Sequence, residues 1–349
     1  MHSARTATLA TAFLAAVATV AVVRDVPPAA SELVRAPEPI RGVALGSDTG
    51  LRLLVADNPP FVLDVDRATT TRVTAVSKAA LGVLWVVAVG GREAVAVADS
   101  APAARLYGIR GPTARVARLG TGTQAWADAG GRAAWILSRV GRSRCWMRLS
   151  ALDGRLLRRP QPFPCPTFND PTAGSLGLVV NGRQIVNPRT GRTVLRTDAS
   201  VVAAVGRKLV LRQGPRALAL LDAASGITRR LGWPSSLSRL DQPAADPRGR
   251  YIALAFADPA WHGGGRQVMD IWLLDALTGR LAQLPGMPAF VSLKSTSIAW
   301  SDDGRLVLLG EDGSRKFVAV WRPGQPRLPV KTLQFPERRS GSDTFASLR

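Results

Sequence analysis

Histidine, cysteine and tyrosine are scarce in this chain, and their scarcity excludes several kinds of site. The 349 residues include two His, two Cys and two Tyr. A structural zinc site of the usual kind needs four Cys or His ligands, and two Cys without a neighbouring His cannot supply them. His262 is the only His outside the N-terminal segment, so a Ser-His-Asp triad would depend on that residue alone. The sequence therefore predicts no metal site and no cofactor.

Glutamate is almost absent from the body of the chain, where Glu93 and Glu311 are the only two between residues 41 and 333. Glycoside hydrolysis requires two carboxylates across the scissile bond, and most Asp residues lie in turns, where they cap hairpins. The string HGGG at residues 262–265 is typical of an oxyanion hole, but no G-x-S-x-G nucleophile motif accompanies it. From these absences we expect that the protein is not an enzyme.

Positive charge dominates the composition. Lys plus Arg number 46 against 25 Asp plus Glu, which gives a formal net charge of +21. Such an excess favours nucleic acid or an anionic surface as a partner. The arginines are scattered singly, however, without the cationic run or basic helix face that is typical of nucleic-acid binding. We therefore expect a solvated basic surface and no nucleic-acid partner.

Residues 6–23 form the one long apolar stretch without a charge, and Arg5 and Arg24 flank it. Such a stretch is an export signal or a membrane anchor. The small-residue pattern needed for cleavage is poor, so within residues 1–24 an uncleaved anchor is favoured over a signal peptide. Residues 25–40 are rich in Pro and Ala, which indicates an extended linker. The body of the protein is then expected outside the cytoplasm, held at the cell membrane or, after cleavage, secreted.

Short strands separated by turn residues recur along the body, and no segment there has the 3.6-residue stripe of an amphipathic helix. In the commonest hairpin a strand ends in Asp or Asn, a few small residues and Gly follow, and a second strand begins with Arg. The Asp or Asn side chain can accept a hydrogen bond from the backbone two residues on, and the Gly can adopt the positive φ that the turn needs. The three clearest copies are Asp222 with Gly226, Asp275 with Gly279, and Asn187 with Gly191.

Seven copies of this turn, strong or weak, follow one another about 42 residues apart. They are marked by Thr70, Gly111, Gly154, Gly191, Gly226, Gly279 and Gly324. A period near 40 to 45 residues with several strands per unit matches the four-stranded blade of a propeller. The sequence therefore predicts an all-β, seven-bladed β-propeller of four-stranded antiparallel blades over residues 41–333. One N-terminal apolar helix would precede it, and a flexible tail, residues 334–349, would follow it.

A second turn motif, D-x-G-R followed by an aliphatic residue, occurs as SDDGRLVL at residues 301–308, with a related copy, ADPRGRYIAL, at residues 245–254. Together the two motifs resemble the WD-like repeats of TolB-type β-propellers over about 290 residues. In that family the propeller generally serves as a docking platform for other proteins or peptides. The resemblance implies a binding role here, although the family's N-terminal partner domain is not recognisable in this chain.

The positions of the two cysteines in the repeat predict a disulfide. In an antiparallel blade with strands A to D, the A–B and C–D turns lie on one face and the B–C and D–A loops on the other. Cys145 opens strand C of the third unit and Cys165 follows its strand D. Both are expected near each other on the B–C/D–A face, where an oxidising compartment would let them pair. Two separately buried thiols are the alternative.

The sixth unit is the longest, and its extra residues lie in the B–C loop, residues 257–268. Trp261, His262 and Arg266 lie in this glycine-rich loop, and Trp and Arg are frequent anchors of interfaces. Alternatively the aromatic side chain folds over its own blade as a lid. We expect a protein or peptide partner on the B–C/D–A face.

Two other functions are possible. The Arg-rich surface could bind anionic lipid or a phosphate-containing polymer of the envelope, a contact that salt would weaken. A propeller hydrolase is the third and least supported hypothesis. The oligomeric state is not determined by the sequence.

Overall fold

The computed structural model describes most of the chain from residue 42 onwards. The described ranges are 42–46, 48–76, 82–99, 104–141, 143–165, 177–237, 239–257, 267–287, 291–293, 297–312, 315–334, 336 and 344–349. They belong to one compact unit, Pro37–Arg349. The predicted anchor or signal, residues 1–24, and the predicted linker, residues 25–40, lie outside them. Among the described residues, no helix has the length and apolar character that crossing a membrane requires.

The strands form seven sheets, which are the blades of a β-propeller, and the strands of each blade are lettered A to D in sheet order. The first segment is β1 (Val43–Ala44). Blade 1 contains β2 (Arg52–Val55), β3 (Phe61–Asp64) and β4 (Thr69–Arg72), followed by a 3₁₀ helix (Thr74–Val76). Blade 2 contains β5 (Val83–Val89), β6 (Glu93–Ala98), β7 (Ala104–Arg110) and β8 (Arg115–Gly122). Blade 3 contains β9 (Gln124–Ala127), β10 (Ala133–Val140), β11 (Arg144–Ala151) and β12 (Leu156–Phe163).

The remaining blades follow in chain order. Among the described residues blade 4 has three strands, β13 (Val179–Asn181), β14 (Gln184–Val186) and β15 (Thr193–Arg196). Blade 5 contains β16 (Ser200–Val205), β17 (Lys208–Gly214), β18 (Ala217–Asp222) and β19 (Thr228–Arg230). Blade 6 contains β20 (Arg239–Ala245), β21 (Tyr251–Ala257), β22 (Gln267–Asp275) and β23 (Arg280–Gln283), and β24 (Val291–Leu293) pairs with the start of β22. Blade 7 contains β25 (Ser297–Trp300), β26 (Leu306–Asp312), β27 (Arg315–Trp321) and β28 (Pro329–Thr332), and β29 (Phe345–Leu348) ends the chain's secondary structure.

The inner strands are buried on both sides because each blade packs against two neighbours. Successive strand residues point to opposite faces of a sheet. Leu53 packs in a cluster with Val307 of blade 7. Its neighbour Leu54 packs in a cluster with Ala94 and Ala96 of blade 2. The neighbouring blades therefore bury the apolar side chains on both faces of a sheet that is too small to bury them by itself.

The C–D turns have the local structure that the sequence predicts. The side-chain Oδ1 atoms of Asp222, Asp275 and Asn187 accept the backbone N–H two residues on, at 2.9, 2.9 and 2.8 Å. Gly226, Gly279 and Gly191 have φ values of 72°, 69° and 66°. The resemblance to TolB-type propellers is confirmed at the level of the fold.

The C–D turns of blades 1, 4 and 6 also contact the outer strand of the preceding blade. The Arg229 guanidinium in β19 donates to the Thr278 carbonyl oxygen at 2.6 Å. The Gln161 amide in β12 donates to the Pro188 carbonyl oxygen at 2.6 Å. Lys331 in β28 donates to the Val65 carbonyl oxygen at 2.9 Å. These contacts join consecutive blades at the periphery of the ring.

Both ends of the described chain take part in ring closure. β29 pairs antiparallel with β2 and becomes strand A of blade 1. β1 pairs in parallel with β28, at the outer edge of blade 7. The prediction that residues 334–349 form a flexible tail is wrong for Phe345–Leu348, because all four residues of this strand are buried. The segment is polar overall, so its composition did not indicate a strand. The partner of this four-residue strand, β2, lies almost 300 residues away in sequence.

Candidate functional site

Two sets of residues were expected on the B–C/D–A face, and one of them is described. Cys145 and Cys165 form a disulfide, with their Cα atoms 5.2 Å apart. Cys145 is the second residue of β11 and is paired with Phe163 at the end of β12, as the repeat predicts. Trp261, His262 and Arg266 lie outside the described residues, so their binding role stays a prediction.

The described residues enclose a cavity of about 470 Å³ in the middle of the ring. All seven blades contribute to its wall. One lining residue from each blade, in blade order, is Phe345, Val86, Trp126, Leu178, Ala203, Ala244 and Ile298. The wall is mixed, with slightly more apolar than polar surface, and the volume falls in the range of sites that bind small molecules or a few side chains.

A–B turns border one end of this cavity. The turns are those of blades 2, 3, 6 and 7, and they contribute Gly91, Asp128, Arg248 and Asp302 to the lining. We call this end the A–B mouth. It lies on the face opposite the B–C/D–A loops, because consecutive turns of an antiparallel blade alternate between faces.

Glycines let the turns of three blades approach closely at the A–B mouth. A Cβ on Gly90 would lie 2.5 Å from the carbonyl oxygen of Gly131 in blade 3. A Cβ on Gly91 would lie 2.4 Å from the backbone nitrogen of Asp302 in blade 7. Both distances are far below van der Waals contact, so no larger residue fits without a shift of the backbone. These contacts narrow the mouth on the side of blades 2, 3 and 7.

Arginines neutralise the acidic residues of blade 7 at the mouth. Asp302 accepts a hydrogen bond from Arg92 of blade 2 and forms an ion pair with Arg349, which follows β29. Asp303 accepts hydrogen bonds from Arg305 and from Arg349, at 2.9 and 2.8 Å. The cluster joins blades 1, 2 and 7 at the point where the ring closes.

The pKa of Asp303 is set by its burial and by the side chains around it. Burial alone would raise it, but the Ser301 hydroxyl, the Arg305 guanidinium and the charge of Arg349 together lower the pKa of Asp303 to about 2. Asp303 is therefore ionised throughout the neutral and mildly acidic range.

Asp128 is the other carboxylate of the mouth, and its own turn satisfies it. Its two carboxylate oxygens accept the backbone N–H groups of Gly130, Arg132 and Ala133 at 3.2, 2.8 and 2.8 Å. This is the hydrogen-bonded turn that Asp favours. Asp128 therefore orders the A–B turn of blade 3.

Arg248 differs from the other charged residues of the mouth. It is exposed, and its guanidinium has no hydrogen bond or ion pair to any residue that the structure describes. Its side chain lies across the A–B turn of blade 7, where a Cβ on Gly304 would be 2.8 Å from Nη1. Among the charged residues that line the cavity, Arg248 is thus the one whose charged group has no hydrogen bond or ion pair to a described residue, although its charge acts on Asp246 in the same turn.

Asp270 is a buried carboxyl that does not line the cavity, and three side chains donate hydrogen bonds to it. Asp270 in β22 accepts hydrogen bonds from Ser235 Oγ, Trp272 Nε1 and Gln283 Nε2 at 2.8, 2.7 and 2.9 Å. Burial raises its pKa against the effect of these donors. The three donors link the loop after β19 to strands C and D of blade 6, which is a structural role.

The structure does not bring the two glutamates of the body together. Glu93 begins β6, beside the A–B turn of blade 2, whereas Glu311 lies near the end of β26, towards the B–C loop of blade 7. In the part of the chain that is described, no group of three or more His, Cys, Asp or Glu side chains could hold a metal ion.

Comparisons with known proteins identify the fold. No family model matches the chain, and no curated protein matches it in sequence. Among solved structures it is similar to the periplasmic gluconolactonase of Pseudomonas aeruginosa, at 13% identity and a TM-score of 0.54, over 86% of this chain and 99% of that one. It is similar to a putative 6-phosphogluconolactonase from Bacteroides fragilis, at 10% identity and a TM-score of 0.53, over 87% of this chain and 99% of that one. A third similar structure is TolB from Acinetobacter baumannii, at 14% identity and a TM-score of 0.49, over 86% of this chain and 67% of that one.

The chain shares a fold with these propellers. At such low identities the likeness shows the fold and assigns no activity. It does overturn one expectation, since the prediction that the protein is not an enzyme is wrong. Proteins named as gluconolactonases have this same fold over nearly their whole length. A lack of familiar hydrolase motifs in the sequence is therefore no ground for excluding catalysis.

Sequence reasoning missed the residues of the A–B mouth. The motifs that contain Arg248 and Asp302, ADPRGR and SDDGR, were recognised as turns and given no functional role. Their position in the repeat was the available signal, because it places all A–B turns at one end of the channel.

Proposed function

We propose that this chain is a binding propeller that acts outside the cytoplasm and receives a segment of a protein or peptide partner at the A–B mouth. The observation that supports this most directly is the central cavity, whose mixed apolar and polar wall suits both apolar and polar side chains of a partner. The apolar N-terminal stretch and the disulfide support an address outside the cytoplasm, anchored or secreted. The B–C/D–A face, with Trp261, His262 and Arg266, stays the alternative binding surface.

Site-specific photo-crosslinking can test this proposal and distinguish the two faces. A photoreactive residue would replace Ala129, which lines the cavity, or Val140, which ends strand B of blade 3 on the B–C/D–A face. Ile227, 68% exposed on the C–D turn of blade 5, is the control position outside the channel. The full-length chain would be crosslinked in its native membranes and each adduct identified by mass spectrometry.

We expect one defined adduct from position 129 and none from position 227. The adduct should form again when the chain and the identified protein are mixed after purification. An adduct from position 140 alone would place the partner on the B–C/D–A face and contradict the channel site. No specific adduct at either position would contradict a binding platform.

A hydrolase acting in the same cavity is the alternative, suggested by the names of the two lactonases that have this fold. Hydrolysis of gluconolactone by the purified chain would favour it, provided that substitution of residues of the A–B mouth abolishes the turnover.

A further inference from the structure

We infer that the segment received at the A–B mouth is acidic, and that one of its carboxylates binds Arg248. This inference rests on the proposed function and adds the chemical class of the partner. It follows from the charges at the mouth, the position of Arg248 and the composition of the cavity wall.

Among the charged residues that line the cavity, one cation has no ion pair to a described residue. Three backbone N–H groups of its own turn satisfy Asp128. Arg92 and Arg349 compensate Asp302. Arg248 has no such partner among the described residues, and it is exposed to solvent. Burial raises the pKa of Asp246 in the same turn, and the charge of Arg248 partly opposes this, but no ion pair to a described residue engages the guanidinium. A group that enters the mouth therefore meets an exposed cation.

The Arg248 side chain lies over the A–B turn of blade 7, at the rim of the cavity. Its backbone N–H donates to Asp246 Oδ1 at 3.0 Å, within the A–B turn of blade 6. The side chain then extends over Gly304, where a Cβ would be 2.9 Å from both Cδ and Cζ. A side chain at residue 304 would displace it, so the glycine leaves room for the guanidinium at the rim of the cavity. There the guanidinium can bind a carboxylate through two parallel hydrogen bonds.

The cavity wall favours a peptide over a bare inorganic anion. Trp126 is 3% exposed and lines the cavity. Its indole N–H has no acceptor among the residues that the structure describes, so it offers a neutral donor beside the apolar part of the wall. Val86 and Ile298 contribute further apolar surface. A segment that alternates acidic and apolar side chains would use both the charge of Arg248 and this wall.

A defined peptide can serve as the probe. A fluorescein-labelled peptide of alternating Leu and Asp would be titrated with the purified full-length chain in detergent, and binding would be followed by fluorescence anisotropy. The matched probe has Asn at every Asp position. We expect the Asn peptide to bind at least about tenfold more weakly, because hydrogen bonds to charged groups contribute most of the selectivity.

Two matched variants identify the responsible arginine. Arg248→Gln should weaken binding of the Asp peptide about tenfold. Arg159→Gln removes the same charge from an exposed position on β12, outside the channel, and should leave binding unchanged. Because both side chains are exposed, neither change should impair folding, which circular dichroism would verify.

Several results would overturn the inference. Equal losses of affinity for the Asp peptide in Arg248→Gln and Arg159→Gln would mean that the basic surface as a whole attracts the peptide. Equal affinity of the Asp and Asn peptides would show that binding does not depend on a carboxylate of the peptide. Displacement of the peptide by an equimolar concentration of inorganic phosphate would indicate a free-phosphate site.

The inference and the proposed function can fail separately. If position 129 crosslinks a partner but the Asp peptide does not bind, the channel site stands and the acidic segment is wrong. If the Asp peptide binds through Arg248 but no partner is crosslinked at position 129, the anion site stands and the protein-binding function is wrong.

Discussion

Asp275 and Asp303 differ in how far away in sequence their hydrogen-bond partners lie. Asp275, at the end of a C strand, accepts a backbone N–H of its own turn and a guanidinium N–H of Arg250 in the same blade. Asp303, in an A–B turn, accepts hydrogen bonds from Arg305 in its own turn and from Arg349, directly after β29. Of these contacts, the one with Arg349 joins distant parts of the chain, so its energy depends on ring closure.

The Asp303 cluster should make stability depend on pH in a narrow acidic range. The pKa of Asp303 is about 2 in the folded protein, below the value of about 3.9 for an unfolded aspartate. Its contribution is therefore fully present above about pH 4 and is lost as the pH falls towards 2. We expect Asp303→Asn to lower the melting temperature at pH 6, and the difference from the wild type to shrink between pH 4 and pH 2.

Thermal melting monitored by circular dichroism at several pH values would test this. Asp198→Asn is the control, because Asp198 is exposed, and its effect should be small at every pH. A difference between Asp303→Asn and the wild type that stays constant down to pH 2 would contradict the arginine cluster.

At the scale of the elements, blade 3 has an additional covalent restraint. Its strands β10, β11 and β12 each have eight residues. The disulfide links the start of β11 to the segment just beyond β12, with a sequence separation of 20 residues. Pro160 and Pro162 in β12 lack an N–H, so they weaken this outer edge as a template for another strand. The disulfide therefore holds the end of an outer strand that has no further strand beside it among the residues that the structure describes.

Removal of this disulfide should destabilise the protein by a predictable amount. Closing a loop of this length reduces the entropy of the unfolded chain by the equivalent of about 3 kcal/mol. We expect the double variant Cys145→Ala, Cys165→Ala to lower the free energy of unfolding by about that amount. Alanine avoids burying a hydroxyl at Cys145, which is 3% exposed.

Urea unfolding with and without dithiothreitol is the measurement. The reductant should destabilise the wild type to the level of the double variant and leave the variant unaffected. Equal stabilities of the oxidised wild type and the variant would show that the bond contributes nothing to the fold.

For the whole molecule, closure of the ring decides stability. The inner strand of blade 1 comes from the C-terminal segment, while β2 to β4 come from near residue 50. Phe345 packs in the cluster between blades 1 and 7, and Leu348 packs in the cluster between blades 1 and 2. Without β29, blades 7 and 2 would face a three-stranded sheet, and both clusters would be open to water.

Loss of Phe345 should therefore affect the whole ring. Phe345 is 3% exposed, and truncation of a buried Phe to Ala costs about 3 to 5 kcal/mol. We expect Phe345→Ala to lower the free energy of unfolding by that amount and to increase cleavage by a protease. Val194→Ala is the control, because Val194 is 52% exposed on an outer strand, and it should change stability by less than about 0.5 kcal/mol. A cost below about 1 kcal/mol for Phe345→Ala would contradict closure by β29.

Local patterns in the sequence determined most of the fold. The Asp or Asn and Gly positions of the C–D turns predicted hairpins, and their spacing of about 42 residues predicted seven blades. The position of Cys145 and Cys165 within one repeat predicted their disulfide. These inferences succeeded because turn geometry depends on residues only two to four positions apart, and because a repeat places equivalent residues in equivalent places.

The tertiary structure alone decided what lies between blades. The pairing of β29 with β2, the arginines around Asp302 and the cavity with Arg248 at its rim all join residues that are far apart in sequence. No periodic pattern marks such contacts, since they depend on where the ring closes and on how closely the A–B turns approach one another. The sequence by itself therefore determined the blades and their order, and the closed ring determined the site at its centre.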